Sequence, residues 1–117
     1  MQSVFANRNE EDQHKEMAYV IGFDALMRIQ FIDLVAIGSV NHAVPVIREC
    51  FRLTLIRNSS HSIFAHNHPS ESVKPSSEDK IFTQKLCEAG KILDVKLNDY
   101  IIFAEEKYFS FSDEGLI

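Results

Sequence analysis

An apolar run that ends in two histidines, followed shortly by a helix-start signature, constrains this chain more than any other feature. The residues are Ile63-Phe64-Ala65-His66-Asn67-His68-Pro69-Ser70, then Pro75-Ser76-Ser77-Glu78-Asp79. Seven residues separate His68 from Ser76, and two separate Ser76 from Asp79. Ile63-Phe64-Ala65 reads as the end of a buried strand. Residues i and i+2 of a strand share a face, so His66 and His68 point to one side and Asn67 to the other. Pro69 and Pro75 bracket a polar loop. Ser76 has the chemistry of a helix N-cap, with Asp79 in the first turn behind it. The reversal from strand to helix returns that carboxylate toward the imidazoles. Two imidazoles and a carboxylate are the protein donors of a catalytic zinc site, whose fourth position holds water. The same letters also fit a plain helix start, in which a Ser cap precedes an acidic residue favoured by the helix dipole. A lone His-x-His on a strand is often only a pair of partly exposed side chains. On the residues alone, both accounts stand.

The 117 residues suffice for one domain with a proper core. No apolar run reaches the roughly 18 residues of a membrane span. The first twenty residues are polar and acidic, without a basic-then-apolar leader pattern, so the expectation is a cytoplasmic protein with no membrane partner. Cys50 and Cys87 lack the spacing of a metal knuckle and are expected as reduced core thiols. The net charge of −5 argues against general affinity for nucleic acid, which needs clustered Lys and Arg.

Residues 1–15 show little periodicity and read as an N-terminal arm, with His14 on its surface. Glu16 opens a mostly apolar strand over Met17–Phe23. Asp24–Arg28 is a hairpin-like turn and Ile29–Ile37 the return strand. Residues 41–46 form a loop, in which His42 has no supporting neighbours. Ile47, Cys50, Phe51, Thr54 and Leu55 repeat as one face of a helix over residues 47–58. Arg48, Arg52 and Arg57 then fall on or near its solvated face. A second helix spans residues 77–89, with Ile81, Phe82, Leu86 and Ala89 inward and Gly90 as C-cap. Strands over 92–97 and 100–104 flank Asn98-Asp99, and a last short strand covers 108–111. His61 is peripheral. The pattern is that of one α/β domain.

The run HNHPSESVKPSSEDKIFTQKLCEAGKILDVKLNDYIIF resembles the RadC-like branch of the JAB/MPN (JAMM) metalloprotein superfamily. The family pattern is HNHPSG, a short spacer, PSxxD, T-x-x-L-x-x-A-G and a strand L-x-D-H-x-I. This chain has HNHPS, PSSED, TQKLCEAG and LNDYII, and Arg48-Glu49-Cys50-Phe51 is similar to the family's R-E-V-F. The likeness runs from about Glu16 onward. It implies a JAB/MPN domain over residues 16–117: a mixed, largely antiparallel sheet flanked by helices, of the cytidine deaminase-like architecture. It implies a zinc ion held by His66, His68 and Asp79. Glu16 matches the family's early glutamate and would act as general base; by its local pattern alone it would be a solvated strand-edge residue. Ser76 would bond a developing oxyanion. The implied reaction is hydrolysis of an amide or isopeptide bond in an unknown peptide or protein.

Two positions depart from the pattern. Glu71 replaces a glycine, with strain of order 1 kcal/mol if its φ is positive. Tyr100 replaces a histidine. The resemblance also carries a role in DNA repair, recombination or mobile-element biology, which the negative charge counts against. The N-terminal helical region of longer RadC relatives is not among these residues, which weakens that role further. A metal-binding scaffold without turnover is the third reading. A zinc deaminase would need H-x-E and P-C-x-x-C, and both are absent.

Overall fold

The strand Glu16–Phe23 (β1) is buried along nearly its whole length, which is why its sequence EMAYVIGF is close to uniformly apolar rather than alternating. The computed structural model describes residues 16–38, 47–69 and 72–117. The proposed arm over 1–15, His14, the loop with His42, and Glu71 lie outside these residues. After β1 come Ile29–Gly38 (β2), the helix Ile47–Ile56 (α1), His61–Asn67 (β3), the helix Ser77–Leu93 (α2), Lys96–Phe103 (β4) and Tyr108–Ser110 (β5). The five strands form one sheet in the order β2-β1-β3-β4-β5. Every neighbouring pair is antiparallel except β3 and β4. Parallel neighbours need a crossover, and α2 supplies it. The result is a mixed α/β domain with a largely antiparallel sheet, as the resemblance implies.

The strand period of two sorts the side chains into two layers. Ala18 and Val20 of β1, Phe64 of β3 and Tyr100 and Ile102 of β4 face Cys50 and Phe51 of α1 and Leu86 of α2. Ile21, Phe23, Ala65 and Phe103 form a second buried cluster on the opposite face. Strand β3 pairs on both edges, so the histidines at its end sit in the middle of the sheet. Among the described residues no helix is long and apolar enough to cross a membrane. Both thiols are free, and burial pushes Cys50 up to about 12.

Several boundaries differ from the sequence expectation. Helix α1 ends at Ile56 because Asn58 takes the left-handed conformation (φ 53°), with Ser59 N–H on Thr54 O at 2.8 Å. That is the closing bond of a Schellman motif, with Asn in the glycine position. Leu55 and Ile81, expected inward, are 47% and 56% exposed, because the sheet accepts a narrower stripe of each helix than periodicity suggests. Gly90 is not the C-cap. The helix continues to Leu93, Asp94 takes the left-handed cap (φ 59°), and Val95 N–H closes on Gly90 O at 2.9 Å. Residues 92–97 and 100–104 are not two strands. Ile92 belongs to the helix, and β4 runs unbroken through Asn98-Asp99. Ser62 pairs with Leu97 and Ile63 with Asp99, so Asn98 is the extra residue of a bulge. The Asp99 carboxylate accepts from Tyr100 N–H (2.8 Å), Ser112 N–H (2.9 Å) and Ser110 Oγ (2.5 Å), tying β4 to the turn after β5. This bonding explains a polar pair inside a strand.

Gly90 is there for space. A Cβ at this position would meet the backbone oxygen of Val95 at 2.4 Å, and a backbone atom in a capped turn has little room to give. In an open helix Gly→Ala gains up to about 1 kcal/mol. Here the overlap decides the sign, and Gly90→Ala is expected to destabilise by about 1–3 kcal/mol net, read from urea unfolding midpoints. A stabilised variant would show that the turn relaxes freely.

Candidate metal centre

Strand β3 delivers His66 as a fully paired residue, facing Ala18 of β1 and Ile102 of β4. His68 follows one residue past the strand end, and its N–H still bonds Phe103 O at 3.0 Å, so the strand's alternation persists to it. Asn67 turns to the other face, where its Oδ1 accepts the N–H of Met17. The two imidazoles stand side by side, ring centroids 4.8 Å apart.

Helix α2 brings Asp79. Ser76 is its N-cap, as the sequence predicts: Ser76 Oγ accepts from Asp79 N–H at 3.0 Å, and Asp79 Oδ2 accepts from Ser76 N–H at 2.8 Å. This reciprocal pair is a capping box with Asp at the third helical position. It holds the carboxylate with Oδ1 3.4 Å from His66 Nε2 and Oδ2 3.4 Å from His68 Nε2. The two accounts of Ser-x-x-Asp are therefore one: the cap and the approach to the histidines are made by the same side chain.

Glu16, the first residue of β1, reaches in from the neighbouring strand, with Oε1 3.9 Å from His66 Nε2. Ligand atoms of Glu16, His66 and His68 all lie within 4.8 Å of one another. The structure thus brings together Glu16, His66, His68 and Asp79. Ser76 stays on the exposed rim. His61 is apart in role, its Nδ1 bonded to Asn98 Oδ1 at 2.9 Å. One neighbour stood out in the sequence only as a departure from the family pattern: the Tyr100 hydroxyl sits 2.9 Å from His66 Nδ1.

Burial divides the two histidines. It drives the His66 pKa down to about 4, despite the attraction of Asp79. His68 is more open, and its hydrogen bond with Asp79 raises its pKa. Burial alone would raise Asp79, but hydrogen bonds from His68 and the Ser76 backbone hold it down to about 2. Glu16 is raised, by burial first, with His68 opposing and Asp79 adding. Burial, then the charges of Asp79 and Glu16, keep the Tyr100 phenol far above its usual range, so it remains a neutral hydroxyl.

Among the described residues, His66 Nε2 is a buried polar atom without a hydrogen-bond partner. Leaving such an atom unsatisfied costs about 1–3 kcal/mol. It points between two carboxylates and beside a second imidazole. A divalent cation would satisfy all of these groups at once, and the nitrogen-and-carboxylate donor set is of the kind zinc takes. His68 is prepared for the same purpose. Its Nδ1 lies 3.0 Å from Ser72 O, a pure acceptor, so a proton sits on Nδ1 and Nε2 is the nitrogen turned toward Asp79. The residues present fit a metal ion.

A family model described as the RadC-like JAB domain matches residues 1–116 of this chain. A UPF0758 protein of Methanosarcina acetivorans is 38% identical over 106 residues, covering 91% of this chain and 46% of that protein. A UPF0758 protein of Trichlorobacter lovleyi is 37% identical over 113 residues, 97% and 49% of the two chains. One of Thermotoga maritima is 36% identical over 101 residues, 86% and 46%. The chain spans about half the length of these relatives.

The pKa pattern gives the metal-free protein a defined acid response. Between pH 6.5 and about 4 the unfolded chain protonates His66 while the folded chain refuses the proton, so acidification through this window removes stability. The full effect is on the order of 3 kcal/mol. Glu16, with its raised value, works in the opposite direction above 4.5, and the Asp79 contribution is lost later, from 3.8 down through about 2. His68 stabilisation is complete below 6.5 and is lost only as pH rises through its raised value. The isolating measurement is urea unfolding of the wild type against His66→Gln across this window. The wild type is expected to lose stability more steeply with acid; parallel curves would mean that His66 titrates normally.

Proposed function

The chain belongs to the RadC-like JAB domain family, and from that premise we propose that it is a zinc-dependent hydrolase that cleaves amide, peptide or isopeptide bonds. The observation that carries the reading is the buried Nε2 of His66, without a hydrogen-bond partner among the described residues and aimed at the same space as His68, Asp79 and Glu16. His66, His68 and Asp79 hold the ion. When bound, zinc supplies Lewis-acid polarisation of the scissile carbonyl and lowers the pKa of a water toward 7. Glu16 is the general base: its raised pKa brings a carboxylate closer to the range where it both takes a proton and returns it to the leaving nitrogen. Its place at the start of β1, on the strand next to the histidines, puts it within reach of the reacting atoms without a flexible loop.

Ser76 has a narrower role. Its oxygen is engaged as the cap acceptor, while its hydroxyl proton remains available to a developing oxyanion at the exposed rim. The capping box therefore orients Ser76 and Asp79 together. The reading supports a peptide or protein substrate reached from the open side of His68. A DNA-linked role finds no support in the charge of the chain, and a scaffold without turnover would use Glu16 as a further ligand to the ion rather than as a base.

The test begins with elemental analysis of protein purified without chelator. One zinc per chain is expected in the wild type and none in His68→Ala. Glu16→Gln is expected to retain the metal and lose hydrolysis of peptide or isopeptide substrates by about 10²–10⁴-fold. Zinc lost together with activity would make Glu16 a ligand rather than the base. A wild type that takes up no zinc by calorimetry, even when zinc is supplied, would overturn the proposal.

A further inference from the structure

Tyr100 lies in the middle of β4 on the helix-facing side and is 2% exposed. Its ring stacks on Phe64 and tilts against Phe111, both at 4.9 Å between centroids. Phenylalanine would satisfy those contacts equally well. What it would lack is the hydroxyl, and carrying a hydroxyl into a dry core is unfavourable unless it bonds. Its partner is Nδ1 of His66, at 2.9 Å in a buried setting.

The consequence lies on the other side of the ring. A neutral imidazole carries one proton, so the bond made by one nitrogen decides what the other can offer. Nε2 presents a lone pair to an ion only if the proton sits on Nδ1, where it then needs an acceptor. His68 finds its acceptor in the carbonyl of Ser72. At His66 the backbone is committed to two strand ladders, and the group facing Nδ1 is the Tyr100 oxygen, which can accept as well as donate.

We propose that Tyr100 is a positioning residue for the metal centre. Its hydroxyl oxygen accepts the Nδ1–H of His66, fixes the rotation of that ring about its side-chain bonds, and turns the Nε2 lone pair toward Glu16, His68 and Asp79. The proposal rests on the reading of these residues as a metal centre. It makes β4, which supplies no ligand, part of the site. It also places the control of one ligand in the core, where packing of Phe64 and Phe111 holds the phenol still, and the control of the other in the loop at Ser72.

The experiment measures zinc affinity by chelator competition for the wild type, Tyr100→Phe and the exposed control Tyr108→Phe. Removal of an outer partner of a metal-bound histidine weakens binding by about 10–100-fold, and that loss is expected for Tyr100→Phe alone. A second readout is the ¹⁵N spectrum of the zinc-loaded, histidine-labelled protein. In the wild type the His66 proton is expected on Nδ1 and protected from solvent exchange; in Tyr100→Phe that protection is lost. A packing role alone would leave this signature unchanged. Equal affinity in wild type and Tyr100→Phe overturns the proposal, as does a spectrum in which Nδ1 is the zinc-bound nitrogen. The wild-type spectrum decides by itself if Tyr100→Phe does not fold. Failure of the wild type to bind zinc at all is a separate result: it overturns the metal-centre reading, and this proposal with it.

Discussion

The first turn of α2 carries the architecture. A helix start leaves four backbone N–H groups without partners inside the helix. Here Ser76 and Asp79 answer that need with a reciprocal pair of hydrogen bonds at 2.8 and 3.0 Å. The same bonds fix how the chain enters α2, the crossover helix that lets β4 lie parallel to β3. They also fix the carboxylate that meets both imidazoles. Weakening the cap would therefore disturb the helix, the sheet connection and the site together. The Ser-x-x-Asp spacing is short for this reason: an N-cap and a third helical residue are the only two positions that bond each other in this way.

The site holds two histidines of the same type, two residues apart, in opposite electrostatic states. His66 lies within the core and resists protonation, while His68 stands at the strand end against Asp79 and favours it. Position along the sheet produces this difference: two residues on, His68 has passed the end of the pairing with β1 while its N–H still bonds Phe103 of β4. Deep placement encloses His66 on both sides, while His68 keeps one side open. The long relatives match this chain over about half their length.

Much of the fold and of the centre is legible in the order of the residues. The His-x-His at a strand end, the Ser cap and the acidic first turn are local chemistry, and local chemistry is written in neighbouring residues. The hairpin of β1 and β2 follows from two apolar runs around Asp24, whose side chain bonds the turn N–H groups of Leu26 and Arg28 at 2.9 Å. The features that sequence hides share a different cause. Gly90 resembles a helix stop, but its real constraint is the approach of Val95, a contact made after the chain has turned. Asn98-Asp99 resembles a turn, but Asp99 bonds residues more than ten positions away. Ile81 and Leu55 fit a helical stripe, but the width of the buried stripe is set by the sheet beneath. Tyr100 stands where the family pattern has a histidine, but its contact with His66 is hidden because the two are 34 positions apart in sequence.

The bulge at Asn98 has a consequence of its own. Side chains along a strand alternate like a two-phase signal, and one added residue reverses the phase of everything after it. Leu97 and Tyr100 both join the helix-side core although an odd number of steps separates them, because Asn98 absorbs one step outside the pairing. Ahead of that point the strand reads in one phase; beyond it, in the other. The loss of this single residue from a lineage would leave every letter of Asp99-Tyr100-Ile101-Ile102-Phe103 in place and still exchange the two faces they serve. An insertion too small to alter the outline of the fold thus determines which of its surfaces the phenol belongs to.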